Sequence, residues 1–247
     1  MTIVTGILAF ALVAITTTIL LALSYLRRKS VPTFREIRAF TRMQQAIGRV
    51  VEDGSRLHVS LGRAALSTPQ SASALAGLTL LRRLAELTSA GDKPPVATSG
   101  DASLSILSQD TLQSASRAAG QPYDPTAGRL TGLTPFSYAA GVIPVIRDEN
   151  VSTNVLIGNF GMEAGLLTDA SERENAFTLA ASDSLPAQAI LYAGGHDPLI
   201  GEELFAAGAY IKTGPLHIAG LIVQDILRWL IIILILIGAF LKVFGLI

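Results

Sequence analysis

Residues 57–61, LHVSL, alternate apolar and polar side chains between Gly54 and Gly62, a pattern that reads as a strand. Thr68-Pro69 then opens a helix that carries Leu75, Leu78, Leu81, Leu84 and Leu87 at helical spacing and ends at Gly91. PVATS at 95–99 is a second strand. Strand, helix and strand of these lengths form a βαβ unit, and this unit decides the fold class.

The same beat continues toward the C-terminus. Asp101 is the N-cap of a helix that ends at Gly120, and RLTGL at 129–133 is a strand leading into a helix over 135–147 that Pro144 bends or shortens. NVLIG at 154–158 runs into a glycine-bearing turn. FTLAAS at 177–182 and AILYA at 189–193 complete the strands, the latter leading through Gly194-Gly195-His196-Asp197-Pro198 into a helix over 199–211. The expected domain, residues 56–213, is therefore α/β and Rossmann-like, with a mostly parallel sheet, right-handed crossovers and helices on both faces.

Outside this domain the composition changes. Residues 226–247, ILRWLIIILILIGAFLKVFGLI, are too apolar for a soluble surface, and residues 3–26 are a second uncharged apolar run. Both read as transmembrane helices. The expected organisation is an N-terminal anchor at 1–29, a linker with an amphipathic helix at 30–55, the α/β domain at 56–213 and a C-terminal transmembrane helix at 214–247. Arg27, Arg28 and Lys29 directly follow the first run, and by the positive-inside rule they lie in the cytoplasm. The chain is then a two-pass cell-membrane protein with a cytoplasmic central domain and both termini extracytoplasmic. No basic side chain precedes the first run, so it reads as an uncleaved anchor.

Thr33 is the expected N-cap of a helix running to about Asp53. It places Phe34, Ile37, Phe40, Met43, Ile47, Val50 and Val51 on one side and Arg35, Arg38, Arg42 and Arg49 opposite. Glu36 and Gln44 fall within the apolar side, which favours packing on a core, with the basic face solvated or meeting lipid headgroups. In the first span Ala14, Thr18 and Ala22 form a small-residue stripe suited to close approach of another helix, in the same chain or in a neighbouring copy.

The segments HVSLG (58–62), AGLTLLRRLAE (76–86), LIGEELFAAGAY (199–210) and QDILRW (224–229) resemble a family of uncharacterised bacterial membrane proteins. The resemblance covers most of the central domain and the start of the second span. It implies the same architecture and carries no activity or catalytic residues.

With 19 basic and 19 acidic residues the formal net charge is zero, and no basic patch is interleaved with aromatics, so nucleic acid is not an expected partner. The absence of cysteine removes thiol nucleophiles, thiolate metal sites and disulfides. In open parallel sheets ligands gather beyond the C-terminal ends of strands, and those loops contain Arg63, Asp101, Asn159, Glu163, Asp183, His196 and Asp197. Of these, Asp101, Asp183, His196 and Asp197 are the candidate ligand contacts, although Asp101 and Asp197 each stand where a helix N-cap would also explain them.

Gly158, Gly161 and Gly165 do not match G-x-G-x-x-G, and Glu163 among them would repel a phosphate. His58, His196 and His217 lack metal-ligand spacing, and Ser60 is not in a G-x-S-x-G elbow. No catalytic residue, metal or cofactor is expected. The leading expectation is a structural or assembly protein that contacts the lipid bilayer and forms a homo-oligomer or part of a larger membrane complex. The alternative is a small-molecule-binding or sensory module that uses the strand-end loops.

Overall fold

A computed structural model describes residues 3–26, 34–194 and 198–244. In chain order the elements are α1 (Ile3–Leu26), α2 (Arg38–Glu52), β1 (Arg56–Gly62), α3 (Ser71–Thr88), β2 (Val96–Ser99), α4 (Ala102–Ala118), β3 (Gly128–Leu130) and α5 (Pro135–Asp148). They continue with β4 (Val151–Asn159), α6 (Ala164–Arg173), β5 (Phe177–Ser182), α7 (Leu185–Ala193), β6 (Pro198–Ile200), α8 (Glu203–Tyr210) and α9 (Pro215–Val243). They fall into two units: Arg35–Ile211, and a second made of Met1–Phe34 with Lys212–Ile247.

In the larger unit the strands lie in the order β3-β2-β1-β4-β5-β6, and every pairing is parallel. The order reverses between β1 and β4, as in doubly wound Rossmann-like sheets. The two-residue period of β1 distributes its side chains. Leu57, Val59 and Leu61 join one apolar core with Phe40 and Met43 of α2, Leu80 and Leu84 of α3, Leu104 of α4 and Leu204 of α8. On the other face Leu156 and Ala180 pack with Tyr138 and Val142 of α5, Leu167 of α6 and Leu191 of α7. Helices thus cover both faces, which is what strands buried on both sides require. Gly77 lets α3 lie close on β4, since a Cβ there would stand 2.8 Å from the Ile157 carbonyl oxygen.

Helix α2 belongs to this unit, which begins at Arg35. Its buried residues Ala39, Phe40, Met43, Ala46, Ile47 and Val50 face the core, while Val51 is exposed. The helix starts later than the sequence suggests, because Ile37 is extended, and Thr33 lies outside the described residues. The extended segment allows Tyr210 Oη to donate to the Arg35 carbonyl at 2.7 Å.

The largest correction concerns AILYA at 189–193, which is the second half of α7 and not a strand. Short apolar runs do not separate strand from helix by period. Here Pro186 sits in the first turn, and Ala187 and Leu191, four apart, are the residues turned to the core. The sixth strand is instead Pro198–Ile200, and the helix after it begins at Glu203 rather than at 199. Pro144 does not stop α5. Its missing N–H forgoes a bond to the carbonyl of Ala140, and both residues are exposed, so water can take that oxygen.

In the second unit α1 and α9 pack along one another, and both are long and apolar enough to cross a membrane. Ser24 is buried and Ala11, Thr16, Ile19, Leu20 and Leu23 are partly so, whereas Ala14, Thr18 and Ala22 are exposed. The basic cluster Arg27, Arg28 and Lys29 lies outside the described residues.

Candidate functional site

The sheet carries a polar chain through its interior. His58 of β1 and Asn154 of β4 are register partners, with Nδ1 and Oδ1 2.7 Å apart, and His58 Nε2 lies 2.9 Å from Thr98 Oγ1 of β2. Asn154 Nδ2 donates to Ser171 Oγ at 2.6 Å, and Ser171 donates onward to the Leu167 carbonyl. That direction fixes the rest: Asn154 presents its oxygen to His58, so the imidazole carries its proton on Nδ1 and accepts from Thr98 at Nε2. Tyr138 Oη lies 2.6 Å from Ser60 Oγ and completes the chain under α5. Burial lowers the His58 pKa to about 4, against the Asn154 bond and Glu149, which favour the charged form. The neutral ring therefore has both nitrogens satisfied, and the network fits a structural clamp across β2, β1, β4 and α6.

At the C-terminal edge the strands stay joined past their ends. The Arg63 N–H donates to the Asn159 carbonyl at 3.0 Å, and the Gly100 N–H to the Gly62 carbonyl at 2.9 Å. Gly62, at φ +73°, makes this possible, because a Cβ there would meet the Asn159 carbonyl oxygen at 2.3 Å. Arg63 then lies over Gly100, and its Nε donates to Glu163 Oε1 at 2.8 Å. Glu163, at the start of α6, is only 1% exposed. Burial pushes its pKa up, but the Gly161 amide, the Arg63 guanidinium and its own amide outweigh this and hold the carboxyl below its usual value. The ion pair thus bridges the loops after β1 and β4 at the point where the strand order reverses, where doubly wound sheets ordinarily admit a ligand.

Of the sequence candidates, Asp101 and Asp183 do not converge on this point. Asp101 caps α4, accepting from the Leu104 N–H at 3.1 Å and from Ser103 Oγ. Asp183 accepts from Asn159 Nδ2 at 2.7 Å. These two carboxylates follow β2 and β5, which are three strand spacings apart, roughly 14 Å. His196 and Asp197 lie outside the described residues.

The same edge has a feature that sequence reading missed. Leu133 and Phe136 at the start of α5, Met162 and Leu166 at the start of α6, and Leu185 at the start of α7 are exposed, Phe136 by 74% and Leu185 by 78%. Helices α5, α6 and α7 are neighbours on one face of the sheet, so these side chains form a row along their N-terminal ends. The signal in the sequence was an apolar residue in a first helical turn just after a strand, off the core-facing stripe.

The opposite edge is where the chain enters and leaves the domain. Phe40 of α2 stacks on Tyr210 with ring centroids 4.7 Å apart, and Arg42 sits 5.8 Å over Phe177, the first residue of β5. Ala46, Arg49 and Asp53 line a groove of about 350 Å³ with Ser152 and Thr153 at the start of β4. Helix α2 therefore crosses the N-terminal edge of the sheet, next to Arg35 and Tyr210.

A family model described as a domain of unknown function, DUF6754, matches residues 3–247. No curated protein and no solved structure matches the chain.

Proposed function

The chain belongs to this DUF6754 family, whose description assigns no activity, and from the geometry we propose a membrane-anchored structural or assembly protein. In this reading α1 and α9 span the cell membrane, the domain lies in the cytoplasm and both termini lie outside. The carrying observation is the C-terminal edge of the sheet: the Arg63–Glu163 pair occupies the switch point, and the row Leu133, Phe136, Met162, Leu166 and Leu185 stands exposed beside it. A contiguous exposed apolar row marks an interaction surface, whereas a small-molecule site wants a concave pocket with converging polar groups.

The row lies at the end of the sheet opposite Arg35 and Tyr210, where the chain joins its spans. In this reading the occupant of the row is a different protein with an apolar surface. Copies of the chain meet through their spans instead, where lipid-exposed faces pack by close approach.

A photoactivatable residue placed at Phe136 or Met162 tests this, with Tyr192 at the far end of α7 as the exposed control. In native membranes the two row positions should yield one adduct with a second protein, identified by mass spectrometry, and Tyr192 should not. Equal adducts at all three positions would overturn the docking face. A small molecule that copurifies and is lost in Arg63→Met would replace it with the ligand-binding reading.

A further inference from the structure

We infer that the groove between α2 and the turn from α6 to β5 binds a free diamino acid such as L-lysine, with the carboxylate on Arg49 and the two ammonium groups on Asp53 and Glu172. The groove lies wholly within the Arg35–Ile211 unit, at the edge of the sheet opposite the apolar row, and does not depend on the docking face. Its volume of about 350 Å³ falls in the range of small-ligand sites.

Two helix ends build it. Helix α2 ends at Glu52, with Asp53 as C-cap and Gly54 next in the left-handed region at φ +60°. Helix α6 closes through a Schellman turn. The Asn175 N–H donates to the Glu172 carbonyl at 3.0 Å, the Ala176 N–H donates to the Ser171 carbonyl at 2.9 Å, and Asn175 takes φ +54°. These turns fix the backbone that carries Asp53 and Glu172 at the groove. Both helices present their negative dipole ends there, which favours a cation.

The charges in the groove are held apart. Arg49 and Asp53 stand four apart, a spacing at which ion pairs form readily on a helix. Yet among the described residues Arg49, Asp53 and Glu172 pair neither with one another nor with a neighbour. By contrast Arg173, next to Glu172, is taken by Asp169. A buried hydroxyl points the same way. Thr153 is 1% exposed and faces α2 on the same side of β4 as Val155. It lines the groove, and its hydroxyl has no hydrogen-bond partner among the described residues, so a polar group remains to be met there. Ala46 and Phe177 supply apolar surface for a short aliphatic chain.

One cation with two anions is matched by one carboxylate with two ammonium groups. A simple zwitterion leaves one of the two acids unmatched. A diamine leaves the guanidinium unmatched, whose fork suits a carboxylate.

Calorimetry on the full chain in nanodiscs tests the site with L-lysine, cadaverine and Nα-acetyl-L-lysine. L-lysine should bind, and the other two, each short of one charged group, should bind about tenfold more weakly. Arg49→Gln should abolish the preference over cadaverine. Glu172→Gln should weaken L-lysine by about tenfold, while Asp110→Asn on α4 should change nothing. Arg49, Glu172 and Asp110 are exposed, so these variants keep the fold. An unmodified chain that gives no binding heat with L-lysine overturns the inference. Cadaverine that binds as tightly as L-lysine makes this a polyamine site, and Nα-acetyl-L-lysine that does so makes it a site for a peptide C-terminus; either result overturns the free amino acid. Binding that survives both Arg49→Gln and Glu172→Gln puts the ligand elsewhere and overturns the site.

Discussion

His58 Nδ1 and Asn154 Oδ1 meet at 2.7 Å across the pairing of β1 with β4, at the centre of a sheet that buries both residues completely. The contact holds a neutral imidazole. Folded, His58 titrates at about 4 because burial opposes its charge, whereas unfolded it titrates near 6.5. Between those values the unfolded chain binds the extra proton, so the stability from a neutral His58 is complete above pH 6.5 and is lost as pH falls through about 4. The loss amounts to about 3 kcal/mol. Denaturant unfolding of the chain between pH 7 and 4 should show it, and His58→Gln should flatten that window. An unchanged slope in the variant would mean that other groups carry the acid sensitivity.

Arg63→Met removes the guanidinium partner of a carboxylate that is 1% exposed. A buried charge left alone is costly, and the expected loss is about 3 kcal/mol. Replacing both residues, Arg63→Met with Glu163→Gln, should recover most of it, because no ion then remains buried. A double variant as unstable as the single one would show that the pair acts through packing rather than charge.

Two glycines with nearly the same backbone separate strain from collision. Gly62 has φ +73° and Gly120 φ +69°, but a Cβ on Gly62 would meet the Asn159 carbonyl oxygen at 2.3 Å, while one on Gly120 would meet nothing within 4 Å. Gly120→Ala should therefore cost only the left-handed conformation, about 1 kcal/mol. Gly62→Ala should cost at least about 3 kcal/mol, since it must also part β1 from β4. Thermal unfolding of the two variants makes the comparison, and equal losses would contradict the stitched edge.

The parallel sheet was legible because its strands are short, buried on both faces and separated by helices with clear starts, such as Asp101 at α4 and Pro135 at α5. AILYA misled because five apolar residues hold neither period, and only the contact of Ala187 and Leu191 with the core decides between them. The polar chain was hidden for a different reason. His58 and Asn154 are 96 positions apart, and their meeting depends on register, which no local pattern specifies. Arg63 and Glu163 were visible as loop residues, but nothing local told that they would pair across the switch point. The exposed row escaped because apolar residues at a helix start read as core until the helix's orientation is known.

The small-residue stripe of α1 leads to the assembly prediction. Ala14, Thr18 and Ala22 are exposed, and Thr18 Oγ1 folds back onto the Ala14 carbonyl at 2.8 Å, so the stripe presents little bulk. The buried Ser24 and the partly buried Thr16, Ile19, Leu20 and Leu23 lie elsewhere on the helix, while the partly buried Ala11 shares the side of the stripe, so Ala14, Thr18 and Ala22 remain open to a helix from another copy. In lipid such helices associate through close packing rather than through a hydrophobic drive, and small side chains permit the approach. Ala14→Leu with Thr18→Leu should weaken self-association of the full chain in detergent or nanodiscs by about tenfold, roughly 1.4 kcal/mol. Unfolding of the Arg35–Ile211 unit should not change. Light scattering or native mass spectrometry reads the outcome, and an unmodified chain that is already monomeric in a lipid environment would remove self-association from the proposed role.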